Sequence, residues 1–281
     1  MSRQRTQQLA VGLITGIAVL VFIPVILVIA YLIVSGIGAI SWEFLTAPPR
    51  NGMKEGGIMP AILGTLILTM GTAIVSMPIS IATAIYLAEY AGNNRLTRTI
   101  RMAIVNLAGI PSIVYGLFGL GAFVLTAGFG TSILAGSLTL GIMTMPVVIS
   151  TAEEAINSVP ERFRTVSLSL GATKWQTVRH QVLPHALPGI LTGMILGLSR
   201  AAGETAPILF TVAAFYLPTL PRSIMDQTMA LPYHLYVIST QVPNMPLQIQ
   251  YGTALVLLLI TLTLTLLATA VRTTVRRRRD W

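Results

Sequence analysis

Two side chains of opposite charge stand inside an otherwise apolar run: Arg200 and Glu204, in the segment GLSRAAGETAPILF. A spacing of four puts them on one face of a helix. Arg200 falls about 12 residues into an apolar stretch that begins near Pro188, about 18 Å of helix and close to the middle of a bilayer. An arginine at that depth costs roughly 2.5–3.5 kcal/mol on insertion scales, so it faces a cavity or a partner. Its guanidinium keeps its charge at any working pH and meets the oxygens of a carboxylate or another oxyanion with a planar fork. The chemistry this suggests is reversible capture of an anion on a membrane path, weak enough to permit release. Glu204 would hold Arg200 while the path is empty and help to eject the anion. The plainer alternative is that Glu204 only neutralises Arg200. Against it, the acid lies C-terminal to the base, the weaker of the two i,i+4 orientations. Gly203, Ala201, Ala202 and Ala206 favour close helix approach. Pro207 can kink this run and Pro111 an earlier one, each open to a packing or a gating role.

Other chemistries find little support. His180, His185 and His234 show no ligand spacing, so no metal site is expected. The aspartates, Asp226 and Asp280, fall in a loop and in the C-terminal tail, which leaves Ser/His/Asp catalysis without a basis. There is no cysteine, hence no disulfide and no thiolate metal site. The chain lacks a G-x-x-x-x-G-K-[ST] motif and carries only Lys54 and Lys174, so it cannot hold ATP by a P-loop. Glu89 closes an apolar run and reads as an unremarkable surface carboxylate.

The polar stretch before Arg200 carries helix punctuation. Ser158-Val159-Pro160-Glu161 fits a capping box, opening a helix from Val159 to Leu170 with Val159, Phe163, Val166 and Leu170 on one stripe. Gly171 supplies the left-handed residue that ends it. Thr173-Lys174-Trp175-Gln176 is a second capping box, Trp175, Val178 and Val182 form a second stripe, and Pro184 stops that helix. The expectation is a helix–turn–helix outside the membrane, pivoting at Gly171.

The elements that must position these residues are membrane helices. The chain is 54% hydrophobic and 10% charged, too apolar for a soluble surface. Spans are expected at 9–40, 58–88, 103–126, 132–150, 188–217 and 251–271. With six spans, Arg3 and Arg5, the Arg95–Arg101 cluster, the Arg162–Arg179 loop and the Arg276–Arg279 run all fall on one side, the cytoplasm. Both termini then lie inside, and the loops at 41–57 and 218–250 face outward. The net charge of +9 reflects these flanks and anionic lipid, not nucleic acid.

The run SLGATKWQTVRHQVLPHALPGI resembles the EAA loop of type-1 ABC importer permeases, E-A-A, three residues, Gly, nine residues, then I-x-L-P. Gly171 falls on the glycine and Leu183-Pro184 on the final pair. Thr165, Val166 and Ser167 stand where E-A-A is usual, and Gln181 where Ile is usual. The glutamate's polar contact to the ATPase is therefore in question. LAGIPSIVYGLFGLGAF (107–123), MTMPVVISTAEEAINSVP (143–160) and SRAAGETAPILFTV (199–212) resemble permeases of phosphate ABC transporters, most closely the PstA type. The resemblance implies an all-α polytopic permease in the plasma membrane. Residues 1–57 would form a first helix and outer loop, 58–271 the type-1 permease domain with a coupling loop at about 152–187, and 272–281 a basic tail. It implies a homologous PstC-like permease, two ATPase subunits and an external phosphate-binding protein as partners. By topology alone, the outer loop at 218–250, with Arg222 and Asp226, could contact the binding protein. ATP and Mg would sit on the partner subunits, with no cofactor here. Thr165, Val166, Ser167, Gly171, Ala172, Trp175, Leu183 and Pro184 would couple to the ATPase, while Arg200 and Glu204 line the solute path and Pro111, Gly203 and Pro207 serve as hinge or pore-helix residues. Rivals are a permease for sulfate, molybdate or phosphonate, an ion-gradient transporter working alone, and a structural subunit that conducts nothing.

Overall fold

The computed structural model describes residues 3–277. The side chains of the Arg276–Arg279 run, of Arg3 and Arg5, and the whole of Asp280 lie outside the described residues. The molecule is helical, with one two-residue hairpin, β1 (Pro49–Arg50) against β2 (Glu55–Gly56).

Helix α1 (Arg3–Gly36) is apolar on all sides and its described side chains are mostly bare. It meets the rest of the chain at its far end. A Cβ on Gly36 would stand 2.6 Å from the Tyr251 carbonyl oxygen, and Tyr31 Oη donates to Tyr251 Oη at 3.3 Å. Short α2 (Trp42–Thr46) follows, capped by Ser41, whose Oγ accepts from the Phe44 amide.

The interior is built from three helices. α3 (Met59–Ile85) carries Thr65, Thr69, Thr72 and Ser76, and each hydroxyl donates to the carbonyl four residues earlier. Satisfying its own hydroxyls lets this face be buried against α6 (Ile133–Asn157). α9 (Leu183–Gly203) then closes on α6 through glycines spaced by four. Cβ atoms built on Gly189, Gly193 and Gly197 would stand 2.4, 2.8 and 2.8 Å from Ala155, Thr151 and Val148. That is small-residue packing of membrane helices, which gain by backbone approach rather than by hydrophobic burial.

The expected third span is broken. α4 (Arg95–Ala108) starts on the basic segment, capped by Asn94 Oδ1 at 2.8 Å from the Thr97 amide. α5 (Ser112–Gly119) continues as a π turn through Thr126, and the two meet at 103°. Pro111 is the reason. It has no amide to donate and biases Ile110 away from helical dihedrals, so it begins α5 rather than kinking a longer helix.

The polar loop is shorter in helix than expected at one end and longer at the other. α7 (Glu161–Ser169) starts after Pro160, whose φ and ψ are −56° and 138°. Ser158 is not its cap: it closes α6, donating to the Ala155 carbonyl at 2.8 Å. A residue before proline resists helical dihedrals, so the chain turns at Val159 and the helix begins beyond. α8 (Lys174–Thr177) does carry the second capping box, Thr173 with Gln176. Pro184 does not stop it. A π turn over Val178–Val182 runs straight into α9, and its shifted hydrogen bonding accommodates Pro184, which has no amide to donate. The helix is continuous from Lys174 to Gly203.

It ends there, short of the expected fifth span. Glu204 is extended, with φ −76° and ψ 134°, and α10 (Ala206–Thr211) begins a separate short helix with Pro207 in its first turn. The loop after it folds back into the bundle as α11 (Leu231–Thr240). The Leu231 amide donates to Thr65 Oγ1 at 2.8 Å, and no side chain would fit at Gly64 under the Met229 carbonyl. α12 (Leu247–Arg277) completes the chain. Among the described residues five helices are long and apolar enough to cross a membrane, six if the bent α4–α5 pair is counted as one broken span.

Candidate functional site

Arg200 occupies the last turn of α9, where the carbonyl end of the helix dipole favours a cation. Glu204 lies just past the helix end and returns its carboxylate to Arg200, Nε to Oε1, at 3.0 Å. The arginine side chain is 39% exposed and the glutamate 16%. Only Nε is engaged; the two terminal nitrogens have no partner among the described residues. The wall beside them comes from the break between α4 and α5. Tyr115 sits within electrostatic reach of Arg200 and donates its hydroxyl to the Leu107 carbonyl across the bend at 2.8 Å. Gly116 lies against the backbone of Ala206 and Pro207, 2.9 and 3.0 Å from a Cβ placed on it, which locks α5 to α10. The helices that follow the two breaks, α5 and α10, thus pack together, with Tyr115 of α5 in electrostatic reach of the half-exposed guanidinium. Non-helical backbone at such a place is tolerated where it lines a cavity.

The expected packing glycine is a correction. Gly203 is exposed and a Cβ there would touch nothing within 4 Å. It ends α9 beside the break, while Ala201 and Ala202 are the buried residues of this turn.

The polar hairpin forms the second candidate site. α7 ends in two hydrogen bonds, from Gly171 N to the Leu168 carbonyl at 3.0 Å and from Ala172 N to the Ser167 carbonyl at 3.2 Å. With Gly171 at φ +83°, this is a left-handed helix stop that favours glycine. Ser167 Oγ and Thr177 Oγ1, 2.9 Å apart, tie α7 to α8. The expected stripe divides. Val159 is buried and Phe163 half-buried, whereas Val166 and Leu170 are exposed, Leu170 at 84%. With Trp175, also exposed, they leave an apolar face on the outside of the hairpin. A groove of about 370 Å³ runs along it, lined by Arg162, Phe163, Val166, Ser167, Leu170, Ala172 and Gln181.

What holds the hairpin in place is Arg164. Its Nε and Nη2 donate to Glu89 Oε1 at 2.9 and 2.6 Å, its Nη1 to the Val159 carbonyl at 2.7 Å, and its Nη2 also to the Ile156 carbonyl at 3.0 Å. The pair is nearly buried, 13% and 6% exposed. A second arginine works alongside: Arg101 Nη2 reaches Glu153 Oε1 at 2.7 Å and the Leu87 carbonyl at 2.8 Å.

Over residues 78–281 the chain matches the family of binding-protein-dependent transport system inner membrane components. The chain belongs to that family. It is 31% identical to the probable ABC transporter permease protein YqgI of Bacillus subtilis (strain 168), over 92% of each chain. It is 35% identical to the phosphate transport system permease protein PstA 1 of Mycobacterium tuberculosis (strain ATCC 25618 / H37Rv), over 80% of this chain and 72% of that one. It is 32% identical to the probable phosphate transport system permease protein PstA of Methanocaldococcus jannaschii, over 88% and 86%. Its fold is that of type-1 ABC importer permeases. It superposes on a subunit of a bacterial ABC transporter involved in the import of alginate with a TM-score of 0.66, covering 96% of each chain at 16% identity. On a subunit of the MetNI methionine ABC transporter the score is 0.61 at 16% identity, covering 78% and 94%.

In this permease the two candidate sites are separate but joined by one helix. Arg200 and Glu204 come together as their spacing suggests. Thr165, Val166, Ser167, Gly171, Ala172 and Trp175 share the hairpin, while Leu183 and Pro184 begin α9. Pro111 and Pro207 sit at the two breaks. Sequence reasoning missed Arg164, and it dismissed Glu89, which is a nearly buried acid and not a surface one. Spacing offered no signal for a pair 75 residues apart. A run-ending carboxylate and an arginine inside a capped helix, each at the same expected membrane face, were the available hint.

Proposed function

We propose that this chain is the PstA-type permease subunit of an ABC importer for inorganic phosphate. The arginine-rich end of the bundle faces the cytoplasm, with both termini there, as the placement of Arg95, Arg98, Arg101, Arg162 and Arg179 favours. A homologous permease completes the pore, and two ATPase subunits dock on the hairpins. An external binding protein delivers phosphate. The chain itself hydrolyses nothing; ATP and Mg belong to the ATPase subunits.

The observation that carries this reading is the Arg200 fork. Glu204 holds one nitrogen and leaves the outer two for oxygens of an anion. With the arginine side chain 39% exposed on this chain, an anion can reach it without unfolding the helix. The adjacent carboxylate keeps the anion's residence short by repulsion. The exposed Val166, Leu170 and Trp175 suit an apolar contact with an ATPase. Because helix runs unbroken from Lys174 to Gly203, displacement of the hairpin reaches Arg200 along one rod of about 45 Å.

The test is reconstitution with the partner permease, the ATPase and the binding protein. Uptake of phosphate, sulfate and a phosphonate is compared with and without ATP. The expected result is uptake of phosphate alone, and only with ATP. Uptake without ATP, or preference for sulfate, contradicts the proposal.

A further inference from the structure

Arg164 does more than pin one helix. Its donors reach three elements at once. Glu89 belongs to the π turn that ends α3. The Ile156 carbonyl belongs to the last turn of α6, and the Val159 carbonyl to the turn that follows. Glu161, at 3.5 Å, is a peripheral fourth contact on α7 itself. The carboxyl end of α6 is where its unpaired carbonyls gather, so a cation there meets both orphan acceptors and the negative end of the dipole. Few side chains could do this. Five donors in a planar fork satisfy a carboxylate and two carbonyls together, which an ammonium on a flexible stem cannot match.

The second route from the hairpin leads elsewhere. Ser167 and Thr177 pass displacement of α7 to α8, and the continuous helix carries it to Arg200. That route moves α9. Moving α9 alone would shear it across α6, where Gly189, Gly193 and Gly197 interlock with Ala155, Thr151 and Val148. If α9 moves without breaking that interlock, α6 moves with it, and so does α3, which is buried against α6. Arg164 is a direct polar link from α7 to both of them.

We infer that the Glu89–Arg164 pair is a transmission joint, a pair of positioning residues that makes α3 and α6 move with the docking hairpin. This rests on the reading of the hairpin as the ATPase contact. The joint sits at the floor of a cleft of about 320 Å³ that opens between α3 and the hairpin, rimmed by Glu161 and Lys174. Lys174 Nζ lies 5.1 Å from the Tyr90 ring centroid, closing the far side of the cleft. A nearly buried pair bridging two elements holds one arrangement or none, because breaking it strands a charge away from water. A joint of that kind transmits a push without slack.

The experiment uses the complete reconstituted transporter and reads phosphate imported per ATP hydrolysed. Glu89→Gln keeps an oxygen for Arg164 but removes the charge; Glu89→Asp keeps the charge but shortens its reach. Arg164→Lys keeps the charge and loses the fork. For E89Q and R164K the ratio should fall at least fivefold, with hydrolysis still stimulated by the loaded binding protein. E89D should lie between these variants and the wild type. A merely structural pair gives a different result: fewer complexes assemble, uptake and hydrolysis fall together, and the ratio stays at the wild-type value. That outcome overturns the inference. If the wild type itself shows no ATP-driven phosphate uptake, the reading of function fails first, which separates the two failures. Should R164K not assemble, E89Q and E89D decide alone, since each leaves the arginine and its two carbonyl bonds in place.

Discussion

At the scale of single residues, backbone conformation matters as much as charge. Gly171 is the clearest instance. Its φ of +83° lies where a Cβ costs roughly 1–2 kcal/mol, and a Cβ there meets no atom of this chain within 4 Å, so inside the chain a substitution acts through backbone conformation. Gly171→Asn should be tolerated, since asparagine visits this region. Gly171→Val should loosen the hairpin stop and uncouple ATP hydrolysis from uptake, measured as the ratio of the two in vesicles. A valine variant with an unchanged ratio would remove the pivot from the account. Gly171 was legible because helix punctuation is local: a capped start, an apolar stripe and a glycine fall within a dozen residues. Arg164 was not, because its partner is 75 positions away and no pattern in one sequence joins them.

At the scale of elements, proline rules misled in one place and pointed to a real break in another. Pro184 was expected to end a helix, yet a π turn absorbs it and leaves a continuous helix from Lys174 to Gly203. Pro111 was expected to bend a span, and the chain does turn there, by 103°, with α5 beginning after it as a separate helix. The same residue type acts differently because what decides is whether the carbonyl one turn earlier can do without the amide that proline lacks. The break at Glu204 was signalled locally by Gly203 and Pro207, although the apolar run continues through it to Leu217. α11 shows the opposite case, a segment that looked like an exposed loop and is packed. His234 on it is buried with its Nδ1 unpartnered, and burial pushes its pKa down to about 4. The folded chain therefore keeps this imidazole neutral while the unfolded chain takes up a proton near pH 6.5. Stability is full above pH 6.5 and is lost as pH falls toward 4, by roughly 3 kcal/mol at the limit. Thermal melting of the purified complex between pH 8 and 4 should show this slope, and His234→Leu should flatten it. An equal slope in the variant would place the effect elsewhere.

At the scale of the molecule, the membrane character and helical class were the most legible features. A chain 10% charged leaves no choice of solvent, and apolar runs mark spans almost wherever they occur. What hydropathy cannot show is how spans pack. The Gly189, Gly193 and Gly197 ladder on α6 and the hydroxyl stripe of α3 are invisible to it, although both lie inside runs it found. Packing also explains why hairpin and path can act as one device. α9 joins them covalently, the glycine ladder locks α9 to α6, and Arg164 ties the hairpin back to α6 and α3. The most direct test of the whole is phosphate uptake by the reconstituted transporter carrying Arg200→Ala. The account predicts an assembled complex that still hydrolyses ATP but imports phosphate at background, at least a hundredfold below wild type. Uptake at the wild-type rate would show that phosphate does not pass by way of Arg200.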